Sequence, residues 1–400
     1  MTDILAQRFQ VDYRFDVAFT RDAFAGDNDT LANLMEADPA RPARALVWLD
    51  QAVVTAFPDL PRRIHAWFAC QRSRGVALAA DPLVIPGGEA AKSDFGLVER
   101  VARTCVEVGL CRHSYIIIIG GGAVLDAVGF AASLVHRGIR QIRLPTTTLS
   151  QADGGLGVKN AINAFGQKNL LGTFTPPRAI LNDARFLTAL DDRGWRDGVA
   201  EAVKVAAIKD AAFARELADL APRVAARDAV ALERVIRRTA ELHLAHITGS
   251  GDPFEQGSSR PLDFGHWSAH RLEILSNHRL SHGEAVAIGV ALDLLYAADA
   301  GMIAGADADL LITALHGAGF RLWDEVLELT DGRGRRSVLA GLDHFREHLG
   351  GVLTLAMPDG LGRQQDTLSL DEERYLVACS QLRRRYRRNP ENAIPSFQGA

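Results

Sequence analysis

Two lysines, Lys159 and Lys168, stand in PTTTLSQADGGLGVKNAINAFGQKN (residues 145–169), a polar, glycine-rich stretch that follows a predicted strand. Ammonium groups on a backbone able to approach a ligand closely suit a phosphorylated substrate. Lysines are ordinarily solvated surface groups. Here the neighbouring Gly154, Gly155, Gly157 and Gly166, with the amides of Asn160, Asn163 and Asn169, argue for a ligand. Arg137 in HRG and Arg260 in SSRPLDFGH are further anion-binding candidates.

A second constellation has metal-ligand character. HWSAH sets His266 and His270 four residues apart on one helical face, His282 opens a helix in SHGEAV, and Glu201 precedes Lys204 in GVAEAVK. Neutral imidazoles and one carboxylate are the usual ligands of a catalytic zinc ion, which keeps a position open for a substrate oxygen. A lone histidine pair is more often surface or core, but the third histidine and Glu201 reverse that preference. His278, in the intervening loop, is a bystander. Upstream, SYIIIIGGGAVLD runs four isoleucines straight into Gly120, Gly121 and Gly122 and then into a helix. Backbone N–H groups at such a helix start hold a pyrophosphate; by itself, and lacking the GxGxxG spacing, it is also a plain strand-to-helix turn. PGGEAAK (residues 86–92) is another turn before a helix, with Glu89 and Lys92 suited to ribose or adenine edges, or to capping. Taken together, these groups describe an enzyme that combines a nucleotide cofactor, a metal ion and an anionic substrate.

The elements that must position them follow from periodicity. Residues 45–50, 76–88, 114–122, 139–148 and 178–183 read as strands alternating with helical patterns, which predicts a mostly parallel sheet covered on both faces. Ligands of such sheets bind beyond the carboxyl ends of the strands, where GGG, PTT and PGGE all fall. After residue 183 the pattern turns to long Ala/Leu/Arg-rich helices. The expected domains are therefore 1–183, Rossmann-like with an N-terminal elaboration resembling a hairpin or edge strand, and 184–400, α-helical.

Composition bounds the remaining possibilities. The chain has 400 residues, enough for two cores, with 48% hydrophobic and 24% charged residues, as in ordinary globular proteins. A net charge of −4 gives no nucleic-acid footprint, and the basic run RRRYRR (residues 383–388) reads as the solvated end of a helix. No apolar stretch is long enough to span a bilayer. Cys70, Cys105, Cys111 and Cys379 show no CxxC pairing and read as buried thiols in a reducing, cytoplasmic compartment.

In order along the chain, GGGAVLDAVGFAAS, HRG, LPTTTLSQADGG, GVKNAIN, QKNLLGTF, EAVK, DFGH and HGEAVAIG resemble the motifs of the sugar phosphate cyclases, whose best-known member is 3-dehydroquinate synthase. The resemblance covers about residues 46–295. It implies a Rossmann-like domain followed by an α-helical one, bound NAD, a divalent metal ion (zinc or cobalt), a small phosphorylated keto-sugar as substrate, and a homodimer. On matching positions it implies Glu201, His266 and His282 as metal ligands. Asp153, Lys159, Lys204 and His270 match catalytic positions, and Lys168 and Asn169 match substrate contacts, as does Arg137, which in family dimers reaches a neighbouring subunit's phosphate site. Asp50, Glu89, Lys92, Gly121, Gly122, Asp126, Thr146 and Thr147 match NAD contacts. The implied chemistry is transient oxidation of a hydroxyl by NAD⁺, elimination of phosphate, return of the hydride, ring opening and an intramolecular aldol closure.

The chain departs from dehydroquinate synthase proper at positions that bear on substrate. GVKNAIN stands for GGKTAVN, KVA for KYG and LDFGHWSAH for LNLGHTFGH, so Asp263 replaces an asparagine that meets substrate. A carboxylate beside a substrate carboxylate is repulsive. GVK, KVAAIKD and RPLDFGH are closer to the branch that cyclises sedoheptulose 7-phosphate to valiolone-type cyclitols, whereas His270 keeps a histidine of the dehydroquinate branch. The expectation is a 3-dehydroquinate synthase-like lyase acting on a seven-carbon keto-sugar phosphate. A sedoheptulose 7-phosphate cyclase is the alternative, and a metal-dependent polyol dehydrogenase of the same fold is a third reading, against which Lys159, Lys168 and Asn169 count.

Overall fold

The computed structural model describes residues 4–254, 261–348 and 350–388. They form two compact units, one within 1–146 and 158–185, the other within 147–157 and 186–400. The segment 147–157 groups with the second unit for a local reason: the Thr148 hydroxyl donates to the Gly194 carbonyl at 2.6 Å and accepts the Gly198 N–H at 3.0 Å.

The first unit is built on a seven-stranded parallel sheet. Its strands are β1 (Asp16–Thr20), β2 (Ala43–Asp50), β3 (Val76–Leu78), β4 (Leu83–Ile85), β5 (Tyr115–Gly120), β6 (Arg140–Pro145) and, beyond a separate hairpin of β7 (Lys159–Ala164) and β8 (Gln167–Phe174), β9 (Ala179–Asp183). The order is β1-β9-β6-β5-β2-β3, with β4 extending beside β2. The four consecutive isoleucines Ile116–Ile119 are all buried because β5 lies mid-sheet and is covered on both faces. Two helices, α1 (Phe95–Glu107) and α2 (Gly122–Leu134), contribute Leu97, Val101, Val124, Leu125 and Val128 to the core against Ile116 and Ile118. Among the described residues of the N-terminal stretch, β1 alone joins the sheet, as an edge strand parallel to β9.

The second unit is helical. Its site-bearing helices are α3 (Asp192–Lys209), α4 (Ala229–Gly249), α5 (His266–Leu275) and α6 (His282–Asp299). Helices α5 and α6 meet through glycine. Gly265, in the left-handed region at φ +76°, puts its carbonyl where a Cβ on Gly289 would lie 2.2 Å away. The basic run is the end of the helix Glu372–Arg388, where Arg383 pairs with Glu328 and Arg385 with Asp309, both at 2.6 Å. Among the described residues no helix is long and apolar enough to cross a membrane. All four cysteines are free thiols, but only Cys105 and Cys379 are buried; Cys70 and Cys111 are exposed, since each falls where its helix or turn faces solvent.

The glycine contact yields a direct expectation. Gly289→Ala forces a methyl group into a backbone carbonyl and lowers stability by about 1–3 kcal/mol, the usual cost of overpacking. The measurement is the urea midpoint at unchanged slope; an unshifted midpoint would show that the two helices can separate at no cost.

Candidate active site

In the first unit, the cofactor candidates gather at the carboxyl ends of adjacent strands. Asp50 ends β2 in register with Ile85, and Gly120 ends β5 in register with Pro145. Asp50 is buried and caps the following helix by accepting the Ala52 N–H at 2.9 Å. The turn after β4 closes on it so tightly that a Cβ on Gly87 would lie 2.2 Å from its Oδ1. Gly121 caps α2 with extended backbone and no side chain, and the space around Gly122 is open. The first N–H groups of α2 have no partner within the helix, and at Gly122 no side chain stands in the open space beside them, the features a pyrophosphate cradle requires. Lys92 donates to Asp126 Oδ2 at 2.6 Å, and Thr146 is buried at the end of β6. Thr147, already in the second unit, pairs its hydroxyl with Ser150 Oγ at 2.8 Å.

The β7–β8 hairpin is stitched to the same region of the first unit. Asn163 donates to Glu89 Oε2 at 2.9 Å, and its own Oδ1 accepts the Asn169 N–H at 2.9 Å. Asn169 takes a left-handed conformation at φ +55°, which asparagine tolerates better than most residues. Lys159 and Lys168 are exposed on this hairpin. Asn160 is no ligand donor: it is buried, accepting from Arg143 at 2.7 Å and donating to the Thr175 carbonyl at 3.1 Å. Arg143, which is fully buried and which sequence reasoning passed over, holds β7 to β6. Arg137 lies after the carboxyl end of α2, a helix of 13 residues and so roughly 20 Å long, away from Gly122 at its start.

In the second unit, Glu201 and Lys204 lie one turn apart on the buried face of α3. His266 starts α5, and His282 starts α6, whose capping box of Ser281 and Glu284 fixes the helix end. Ser281 Oγ also donates to Asp197 Oδ1 on α3 at 3.0 Å. Ligand atoms of Glu201, His266 and His282 all lie within 4.8 Å of one another. His266 Nε2 is 3.5 Å and His282 Nε2 3.3 Å from Glu201 Oε1.

The opposite ring nitrogens decide what this cluster can bind. His266 Nδ1 lies 3.2 Å from the Phe264 carbonyl oxygen, and His282 Nδ1 lies 3.2 Å from Glu273 Oε2. Both partners only accept, so each Nδ1 keeps a proton; each Nε2 donates to Glu201 in the metal-free protein and is the nitrogen whose lone pair becomes available when a cation displaces that proton. Three electron-pair donors converging on one point, each oriented from behind, fit a divalent cation. Glu273 was not foreseen; in HRLEIL it has the look of a surface residue on an amphipathic helix. His270 is exposed, with its ring stacked 6.0 Å from that of His282.

On the other side of Glu201, Lys204 Nζ lies 2.5 Å from Oε2 and donates to Asp153 Oδ2 at 3.2 Å. Asp153, on a single π-helical turn (Ser150–Gly154), also meets His243 Nδ1 of α4 at 2.5 Å. His243 was missed as well, although ELHLAHITG offered a His243/His246 pair at helical spacing. Burial opposes charge on Glu201 and Asp153, but Lys204 outweighs it, helped by His266 at Glu201 and by His243 at Asp153, and holds both carboxyls below the usual range. Burial likewise opposes charge on Lys204; the Asp153 and Glu201 carboxylates outweigh it, and Asp263 pulls the same way. Arg260 lies outside the described residues.

Known proteins share this sequence and fold. The profile described as 3-dehydroquinate synthase N-terminal matches residues 82–197, and that described as 3-dehydroquinate synthase C-terminal matches residues 198–331. The 3-dehydroquinate synthase of Aeropyrum pernix is 34% identical over 331 residues, covering 82% of this chain and 86% of that one. The 2-epi-5-epi-valiolone synthase of Streptomyces glaucescens is 35% identical over 279 residues, 70% of each chain. Among solved structures, a 2-epi-5-epi-valiolone synthase from Streptomyces hygroscopicus subsp. jinggangensis, with NAD⁺ and Zn²⁺ bound, superposes with a TM-score of 0.80 at 28% identity, over 95% of this chain and 100% of that one. The chain belongs to the 3-dehydroquinate synthase family. It is a sugar phosphate cyclase of that type, a carbon–oxygen lyase.

Lys204 gives a stability test on metal-free protein. A carboxylate whose folded-state pKa is depressed stabilises the fold above its unfolded value, about 4, and loses that contribution as pH falls through the folded value. Lys204→Met leaves two buried carboxylates without their ammonium, a loss of about 3–5 kcal/mol. The gap between wild type and variant in urea titrations is expected at pH 7 and shrinks below pH ~4 as the carboxylates take up protons. A gap independent of pH would mean that packing of the lysine stem, and not its charge, is what matters.

Proposed function

We propose that the chain binds NAD at the carboxyl ends of β2, β4, β5 and β6 and a divalent metal ion, zinc or cobalt, at Glu201, His266 and His282, and that it cyclises a seven-carbon keto-sugar phosphate with loss of phosphate. The observation that carries the metal assignment is the pair of Nε2 atoms, each oriented from Nδ1, converging with Glu201 Oε1 on one point beside Lys204. The NAD⁺ and Zn²⁺ held by the valiolone synthase of similar fold support both cofactors. When bound, NAD takes and returns a hydride while the metal ion polarises substrate oxygens.

The chain's own residues supply the rest. Lys204, kept cationic by Asp153 and Glu201, donates to a substrate oxygen as negative charge develops on it. Asp153 holds that ammonium in place and accepts from a substrate hydroxyl. Lys159, Lys168 and Asn169 grip the phosphate with charged and amide N–H groups, and Lys159 also offsets charge as the phosphate departs. His270 assists the proton that the departing phosphate oxygen takes up. Arg260 is assigned to substrate binding. Arg137, remote from the glycine turn of its own unit, is assigned to a neighbouring subunit's phosphate in a homodimer. Free thiols at all four cysteines suit a reducing, cytoplasmic location.

Asp263 favours one substrate within this class. It lies close enough to Lys204 to raise its pKa, and an ionised aspartate accepts hydrogen bonds without donating any. A polyol end, as in sedoheptulose 7-phosphate, gains an acceptor there, whereas a heptulosonate carboxylate gains repulsion. The similarity to 3-dehydroquinate synthases keeps the heptulosonate as the second reading.

Metal-loaded enzyme offered each sugar phosphate separately is expected to release phosphate over many turnovers with no accumulation of NADH, and to stop on chelation. Stoichiometric NADH would instead mark a polyol dehydrogenase. For Asp263→Asn, the ratio of kcat/KM is expected to move toward the heptulosonate. Like charges about 4 Å apart at an effective dielectric of about 20 cost on the order of 4 kcal/mol, several hundredfold in rate. A wild type that already prefers the heptulosonate, with no gain in the variant, would overturn the sedoheptulose assignment.

A further inference from the structure

The turn that delivers His266 is held by a carboxylate for which the proposed reaction has no use. Asp293 lies on α6, about three helical turns beyond His282, and its exposure is 0%. Its Oδ2 accepts the Gly265 N–H at 3.1 Å, and its Oδ1 accepts the Trp267 indole N–H at 3.3 Å. The Gly265 N–H and the Phe264 carbonyl belong to one planar peptide unit. That carbonyl is the acceptor 3.2 Å from His266 Nδ1. A single peptide group therefore stands between the Asp293 carboxylate and the imidazole whose Nε2 lies 3.5 Å from Glu201 Oε1.

This arrangement has an electronic and a geometric effect. An amide whose N–H is bound to a carboxylate is polarised, and its carbonyl becomes a stronger acceptor. A stronger acceptor at Nδ1 fixes the histidine tautomer and makes Nε2 a better electron-pair donor. Drift of the turn is blocked on the same side. A Cβ on Gly265 would lie 2.6 Å from Val290 Cγ2, and one on Gly289 would lie 2.2 Å from the Gly265 oxygen. The glycines allow the approach, and Asp293 fastens it.

We propose that Asp293 is a positioning residue of the metal site, acting through the Phe264–Gly265 peptide to hold His266 with Nε2 presented to the cation. The proposal rests on the reading of Glu201, His266 and His282 as metal ligands. The competing account is that Asp293 merely satisfies the buried Trp267 indole, in which case loss of either partner would have the same effect.

The test compares wild type, Asp293→Asn, Trp267→Phe and the Asp293→Asn/Trp267→Phe double variant, stripped of metal and titrated with Co²⁺ against a competing chelator. Burial pushes the Asp293 carboxyl up to about 7 despite its two donors, so the titrations are run at pH 8. In Asp293→Asn alone the amide nitrogen must face an N–H donor. The double variant removes that conflict and keeps the experiment readable should the single variant not fold. Both variants lacking the carboxylate are expected to bind Co²⁺ about 10- to 100-fold more weakly, with an altered Co²⁺ absorption spectrum, while Trp267→Phe stays within about twofold of wild type. Wild-type affinity in the two Asp293 variants, or an equal loss in Trp267→Phe, overturns the positioning role and leaves the metal assignment standing. Co²⁺ affinity that is also unchanged in Glu201→Gln removes the metal assignment itself, and the positioning role with it.

Discussion

Glu201 is a carboxylate at 1% exposure, with an ammonium group against one oxygen and the Nε2 atoms of two imidazoles against the other. Charge cannot be buried so deeply without compensation, because desolvation costs several kcal/mol per ion. Lys204 supplies part of the balance and is itself held between Glu201 and Asp153. Much of the second unit's polar structure serves this arrangement. The π-helical turn presents Asp153, α4 presents His243 behind it, and the capping box of α6 sets His282 at a helix start. Glu273 and the Phe264 carbonyl then assign the protons of the two rings.

The first unit handles buried polarity differently. Its parallel sheet is largely apolar through the core, and most polar groups collect where the strands end. Buried polar residues also lie within the strands, among them Gln141, which donates to the Gly129 carbonyl, Asn182, and Arg143, a guanidinium inside the fold that donates to Asn160 and to the Lys159 carbonyl. That contact joins the last strand before the chain leaves the unit to the first strand after it returns. The hairpin bearing Lys159, Lys168 and Asn169 is thereby anchored at its base and, through Asn163 and Glu89, along its side. A hairpin, unlike a loose loop, holds these cations in register.

The sheet was legible in the sequence because its signals are local. Four isoleucines before three glycines, and apolar runs ending at PTT and PGGE, mark strands buried on both faces and the ends where ligands bind. Glu201, His266 and His282 could be named from residue type and spacing alone. What escaped were partners whose meaning exists only across helices: Glu273 behind His282, His243 behind Asp153, and Asp293 behind a peptide. Each sits in an unremarkable helical pattern, and no periodicity records which residue of a neighbouring helix it faces. The β7–β8 hairpin escaped for another reason: its glycines and asparagines read as a loop, and only pairing between its two halves makes it a strand pair. The segment 147–157 follows a strand in sequence, yet groups by packing with α3 of the other unit.

The edge strand β1 pairs in parallel with β9, Asp16 opposite Ala179 and Thr20 opposite Asp183, and the Asp183 carboxylate accepts the N–H groups of Asp22 and Ala23. The first strand of the chain thus has no partner until the last strand of the sheet exists. At roughly 5–20 residues per second, a ribosome takes on the order of 8–30 s to make the intervening chain. For that interval β1 is an extended, half-apolar strand with an open edge, the kind of segment that chaperones retain and that strays into aggregates. Closure of so long a loop also places sheet completion late in folding. Ordering of the carboxyl ends of β2, β4, β5 and β6 need not wait for it, so the middle of the sheet can assemble before its edge is sealed.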